Sequence, residues 1–135
     1  AEIAPADMVD PGGRDGCRAP IPWDEVTAQQ ADTDSILRFY KRLLQLRSTT
    51  PALNAAGIGN DSFRLLDGSA GLLAWERSDG TETWLTYINP SDQPQSAFVT
   101  GYTIVLCTDP SLEGTAVGAQ LPAGVAWVAR RSGTM

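Results

Sequence analysis

From residue 34 to 48 the apolar positions recur at helical spacing: Ile36, Leu37, Phe39, Tyr40, Leu43, Leu44 and Leu46. At roughly 100° per residue they cover about half of a helical wheel, and Arg38, Lys41, Arg42 and Gln45 fill the rest. Asp34 or Thr33 is the expected N-cap, and Pro51 stops the helix. So wide an apolar face asks for a large partner surface. Arg47 falls inside the apolar arc. A guanidinium there must be paired, bonded to carbonyls or extended to water, and the expectation is pairing.

Beyond Leu53 the pattern changes to short β runs at 62–66, 71–77, 82–88, 97–99, 102–108 and 125–130. Ser78-Asp79-Gly80-Thr81 joins two of them, because Asp-Gly accepts the positive φ of a tight turn. The intervening stretches 109–118 and 121–124 are turn-rich. Residues 1–34 hold Pro5, Pro11, Gly12, Gly13, Gly16, Pro20 and Pro22 and read as irregular. The fold class that follows is α+β: an irregular N-terminal loop and one long helix, then a small antiparallel β-sandwich-like domain. A β part of about 80 residues is near the lower range for independent stability.

Composition narrows the function. The net charge is −6, so phosphate backbones and anionic lipid surfaces are excluded as expected partners. The apolar runs are short, such as Ile104-Val105-Leu106, against the roughly 20 residues of a membrane span. The opening Ala1-Glu2-Ile3-Ala4-Pro5 lacks the basic and apolar regions of a signal peptide, so a cytoplasmic protein is expected. With no histidine, and with Cys17 and Cys107 far apart, neither a metal site nor a cofactor is expected. Two reduced, buried thiols are the default. A disulfide would need their Cα atoms within roughly 7 Å.

One segment is specific: Gly13-Arg14-Asp15-Gly16-Cys17-Arg18-Ala19-Pro20-Ile21-Pro22-Trp23. It resembles the sequence G-R-D-G-C-R-T-P-M-P-W near the end of the barrel in α-glucosidases of the α-amylase family, glycoside hydrolase family thirteen. It departs at Ala19 and Ile21. The helix from Ser35 to Arg47 is similar to the last barrel helix of those enzymes, and Pro51-Ala52-Leu53 fits as well. The β region, with Trp75-Glu76-Arg77 and Asn89-Pro90, is similar to their C-terminal domain. The resemblance implies a tail of a (β/α)₈ barrel at residues 1–52 and a C-terminal antiparallel β domain at 53–135.

The resemblance also implies retaining hydrolysis of α-glucosides, which needs two carboxyl groups roughly 5 Å apart. In the family these groups and the subsite histidines lie upstream of the matching segment. A barrel needs on the order of 250 residues, so no position here receives the catalytic role. The loop carboxylates Asp7, Asp10, Asp15, Asp24 and Glu25 have no spacing that sets two of them across a bond. Such groups usually cap turns. The resemblance does carry over a sugar-subsite arginine, best matched by Arg18 and next by Arg14, useful only with a barrel present. A planar guanidinium can hold a carboxylate and vicinal hydroxyls together. Trp23 is expected to plug the loop against the body.

The resulting expectation is a non-catalytic accessory unit. Its partners would be a catalytic barrel or a second copy through the 34–48 face, with an α-glucoside as ligand of the assembly. The alternative is a free-standing carbohydrate-binding module, which would need a row of exposed aromatics on one sheet face.

Overall fold

A computed structural model describes residues 20–54, 62–66 and 71–131. Two helices open this part. Helix α1 (Trp23–Ala31) occupies a stretch expected to be irregular. The breakers that suggested a loop end at Pro22, which takes the N-cap position. Asp24 and Glu25 then sit in the first turn, where negative charge suits the helix dipole.

Helix α2 (Ile36–Thr49) falls where the periodicity predicts it. Its cap is neither Asp34 nor Thr33 but Ser35, whose Oγ accepts from the Arg38 N–H at 3.2 Å. The same hydroxyl donates to the carbonyl of Gln29 at 2.6 Å, so one side chain caps α2 and ties it to α1. Arg38 Nε donates to the carbonyl of Gln30 at 2.9 Å, a second tie between the two helices. Pro51 ends α2 and opens a short 3₁₀ turn, Pro51–Leu53.

Strands β1 (Phe63–Leu65), β2 (Leu73–Ser78), β3 (Thr83–Ile88), β5 (Tyr102–Cys107) and β7 (Ala126–Arg131) form one antiparallel sheet in the order β1-β2-β3-β7-β5. The hairpin β2–β3 forms at the expected turn. Gly80 has φ +88°, and Asp79 Oδ1 accepts the N–H groups of Thr81 and Glu82 at 2.9 and 2.8 Å.

Ala74, Leu85, Tyr87, Ile104, Trp127 and Ala129 line one side of this sheet and are almost wholly buried. A register shift between Ile104 and Leu106 turns the strand over at Val105. Ile104 and Cys107, three residues apart, therefore both reach the core. Tyr87 and Trp127 pair across β3 and β7 with rings stacked 5.1 Å apart.

The layer over this core is a two-stranded ribbon, β4 (Gln95–Ser96) with β6 (Gln120–Leu121), together with loops. That is an α+β fold with one full sheet, not a sandwich of two comparable sheets. The expected strand at 97–99 is displaced to Gln95–Ser96, and β6 arises in a stretch read mainly as turns. Asn89, fully buried after β3, holds the layer in place. Its Nδ2 donates to the carbonyls of Gln93 and Pro122 at 2.8 and 2.9 Å, and its Oδ1 accepts from Ser91 Oγ at 2.6 Å.

On the other side of the sheet the register places Trp84 and Leu106, both buried although they lie outside that core cluster. The Pro51–Leu53 turn, with its buried Ala52, and the inner side of α2 cover this side.

Candidate functional site

Arg18 and Arg14, the sequence candidates for a sugar subsite, lie outside the described residues, as do Cys17, Asp7, Asp10 and Asp15. The described end of the family-like segment is Pro20 to Asp24. Trp23 is 70% exposed at the start of α1, so it does not plug the loop against the body as expected. Cys107 is a free, buried thiol. It borders a cavity of about 190 Å³ with Asp34, Ser35, Phe39, Arg42 and Pro110. Burial pushes the thiol pKa up, which disfavours the reactive thiolate.

Most described carboxylates hold structure. Asp32, Asp79 and Asp109 accept turn N–H groups. Glu113 pairs with Arg42 and accepts the Cys107 N–H at 3.0 Å. Glu82 accepts the indole N–H of Trp84 at 3.0 Å. Glu76 is the most heavily engaged. Arg64 of edge strand β1 pairs with it, the Tyr102 hydroxyl donates to it from the far edge of the sheet, and Arg131 stands 3.6 Å away. Burial pushes the Glu76 pKa up, but the donors from Tyr102 and Arg64 outweigh burial and leave it below its ordinary value. Tyr102 shifts the opposite way, raised by burial and by Glu76. This cluster closes one end of the core and is not free to act on a substrate. The remaining described carboxylates, Asp24 and Glu25 in the first turn of α1, Asp34 and Asp92, are exposed. Among the described residues no group of three His, Cys, Asp or Glu could hold a metal.

The tryptophans of the sheet do not form a binding row. Trp84 and Trp127 are buried, and Trp75 is half-buried.

What remains unused is the surface of α2. The apolar arc read from the sequence is split lengthwise. Phe39, Leu43 and Leu46, on one side of the wheel, are half-buried toward the sheet. Leu46 faces Val105 and Leu106 of β5. Arg42, flanking this side, reaches Glu113. On the other side Ile36, Tyr40 and Leu44 stand 73%, 59% and 58% exposed. Their i, i+4, i+8 spacing makes them one continuous stripe. Arg47 lies in this open half and is exposed, so the expected pairing does not form among the described residues. A second apolar group, Phe63, Leu65 and Leu73, stands exposed at the β1 edge of the sheet. Isolated exposed apolar residues are ordinary, but a contiguous stripe on a helix marks an interaction surface. Periodicity identified the arc. Which half meets the sheet depends on where β5 and Glu113 lie, which no local pattern shows.

No protein-family model matches the chain. A curated protein from Rhizobium meliloti (strain 1021), a probable alpha-glucosidase, is 28% identical over 104 aligned positions, covering 60% of this chain and 18% of that protein. Among solved structures, the trehalulose synthase MutB from Pseudomonas mesoacidophila MX-45 superposes with a TM-score of 0.62 at 24% identity, covering 77% of this chain and 19% of that one. An inactive double mutant of MutB in complex with isomaltulose gives 0.64 at 23% identity with the same coverage. At this identity the structures establish the fold. The chain spans about a fifth of the length of these relatives. No helix among the described residues is long and apolar enough to cross a membrane.

Proposed function

We propose, from the premise that this chain resembles the C-terminal part of an α-glucosidase of the α-amylase family, that it is a non-catalytic accessory unit which docks on the barrel of such an enzyme. The observation that carries this reading is the open half of α2. A helix that buries only one side of a half-wheel apolar face has a second side shaped for another body. The share of the relatives covered by the chain supports it, since four-fifths of such a protein lies elsewhere.

In this reading residues 1–52 complete the end of a barrel and 53–135 form the β domain behind it. The catalytic carboxylates belong to the barrel. Retaining hydrolysis needs a nucleophile and an acid/base carboxyl roughly 5 Å apart. The described carboxylates are mostly committed to turns and ion pairs, which favours a chain without its own activity. Once a barrel is in place, Arg18, then Arg14, is the residue assigned to hold an α-glucoside beside a barrel carboxylate.

The test is to assay a chromogenic α-glucoside with the purified chain. The same assay is run on the chain co-expressed with the R. meliloti protein shortened by the part this chain matches. The chain alone is expected to be inactive, and the pair to co-purify and turn over. Turnover by the chain alone would sink the accessory reading.

A further inference from the structure

We infer that Arg47 is the ionic anchor of the open α2 face, and that the body covering Ile36, Tyr40 and Leu44 presents a carboxylate to it. The inference rests on the docking reading above and adds the chemistry of the partner.

Helix α2 holds three arginines with different environments. Arg38 donates to the carbonyl of Gln30, and Arg42 pairs with Glu113, so both are satisfied within the chain. Arg47 has no ion-pair or hydrogen-bond partner among the described residues. On the wheel it falls between Ile36 and Tyr40, within the exposed arc, and along the axis it lies about one turn beyond Leu44 at the C-terminal end of the stripe. While the stripe is open, water solvates the guanidinium at no cost. Once a body covers the stripe, that solvation is lost. A cation buried without a counter-charge strongly opposes docking, whereas a carboxylate in the partner accepts the planar fork in two parallel bonds. Arg47 therefore rejects a purely apolar partner and selects an acidic one.

The same chemistry weighs against a second copy set α2 against α2. Between Ile36 and Thr49 the helix carries Arg38, Lys41, Arg42 and Arg47 and no acidic residue. The nearest acid before it, Asp34, is exposed and borders the cavity that Ile36, Phe39, Cys107 and Pro110 line. Two copies set stripe to stripe would bring cationic helices together with no carboxylate on α2 itself for either Arg47, and the acids a second copy could offer are confined to α1 and the turn before α2. The occupant we commit to is the barrel body of an α-glucosidase-like enzyme, apolar opposite Tyr40 and Leu44 and acidic opposite Arg47.

Three measurements on the full chain test this. In the isolated chain Arg47→Ala is expected to leave the melting temperature unchanged. A fall as large as that caused by Arg42→Ala would reveal a partner within the chain and overturn the inference. Light scattering is expected to give a monomer, and a dimer that Tyr40→Lys dissociates would assign the stripe to a second copy instead. In the co-expression with the shortened R. meliloti protein, Arg47→Lys is expected to retain most binding and Arg47→Glu to lose about tenfold or more. Equal binding by Arg47→Glu and wild type would remove the anchor while leaving the docking reading intact. Absence of binding by the wild type would remove both.

Discussion

The core side of the β sheet and the outer side of α2 both present large apolar residues, yet the chain treats them in opposite ways. Over the sheet, Leu85, Tyr87 and Trp127 are sealed by a ribbon of two-residue strands and by loops pinned through Asn89. Tyr87 adds its own tie, its hydroxyl donating to the Ser96 carbonyl at 3.2 Å. Over α2, nothing among the described residues covers Ile36, Tyr40 and Leu44. Burial of apolar area is the main favourable term in folding, so a chain this small gains from covering what it can. A stripe left open while a neighbouring core is closed by such modest elements indicates a surface built for something outside these elements.

That contrast can be broken most sharply in the core. Leu85→Ala removes a fully buried side chain flanked by Glu76 and Ala129 in register, and should cost about 3–4 kcal/mol in chemical denaturation. Leu44→Ala on the open stripe removes the same atoms and should change stability by less than about 0.5 kcal/mol. If the two substitutions cost the same in the isolated chain, the stripe is covered in solution and the distinction collapses.

Asn89→Ala comes next. It deletes the donor to the carbonyls of Gln93 and Pro122 in a wholly buried site and should cost about 2–3 kcal/mol. Amide exchange in the β4–β6 ribbon should accelerate in step.

Smaller again is Glu76→Gln, at about 1–2 kcal/mol, because both guanidiniums that face Glu76 are more than half exposed and solvent screens them. Its pH signature is distinctive. A carboxyl with a lowered folded pKa binds protons more weakly when folded than when unfolded. Its stabilisation is therefore complete above the unfolded value of about 4.3 and is lost as pH falls through the lower folded value. Tyr102 acts at the other extreme. Its raised pKa contributes below the unfolded value of about 10, and the contribution is lost as pH rises through the folded value. Denaturation midpoints measured across pH should show a weaker acid-side dependence in Glu76→Gln and a weaker alkaline-side dependence in Tyr102→Phe, the remainder coming from groups such as Asp79 and Tyr87.

Much of this fold was legible along the chain. The period of the α2 residues, the stop at Pro51 and the Asp79-Gly80 turn are local effects, settled by backbone sterics and spacing. The misses also have physical causes. Helix α1 follows directly on a run of prolines and glycines, and what holds it is tertiary, the ties of Gln29 and Gln30 to Ser35 and Arg38. The N-cap moved to Ser35 because its hydroxyl also reaches α1, a tertiary contact. The paired strands β4 and β6 are two residues long, too short for any alternation to show. Of the candidate site, the sequence displayed the arc and the odd arginine within it. It could not show which half would face β5.

By itself, the sequence determined the half-apolar helix, the β character beyond Leu53, the acidic balance and the likeness to the end of an α-glucosidase, all properties of spacing and residue type. Only the tertiary structure decided that Glu76 ties its own strand to three others, that the bulge at Val105 sends both Ile104 and Cys107 inward, and that α2 keeps Ile36, Tyr40, Leu44 and Arg47 outward. These outcomes depend on residues far apart in the chain meeting in one place, and a one-dimensional pattern does not contain those meetings.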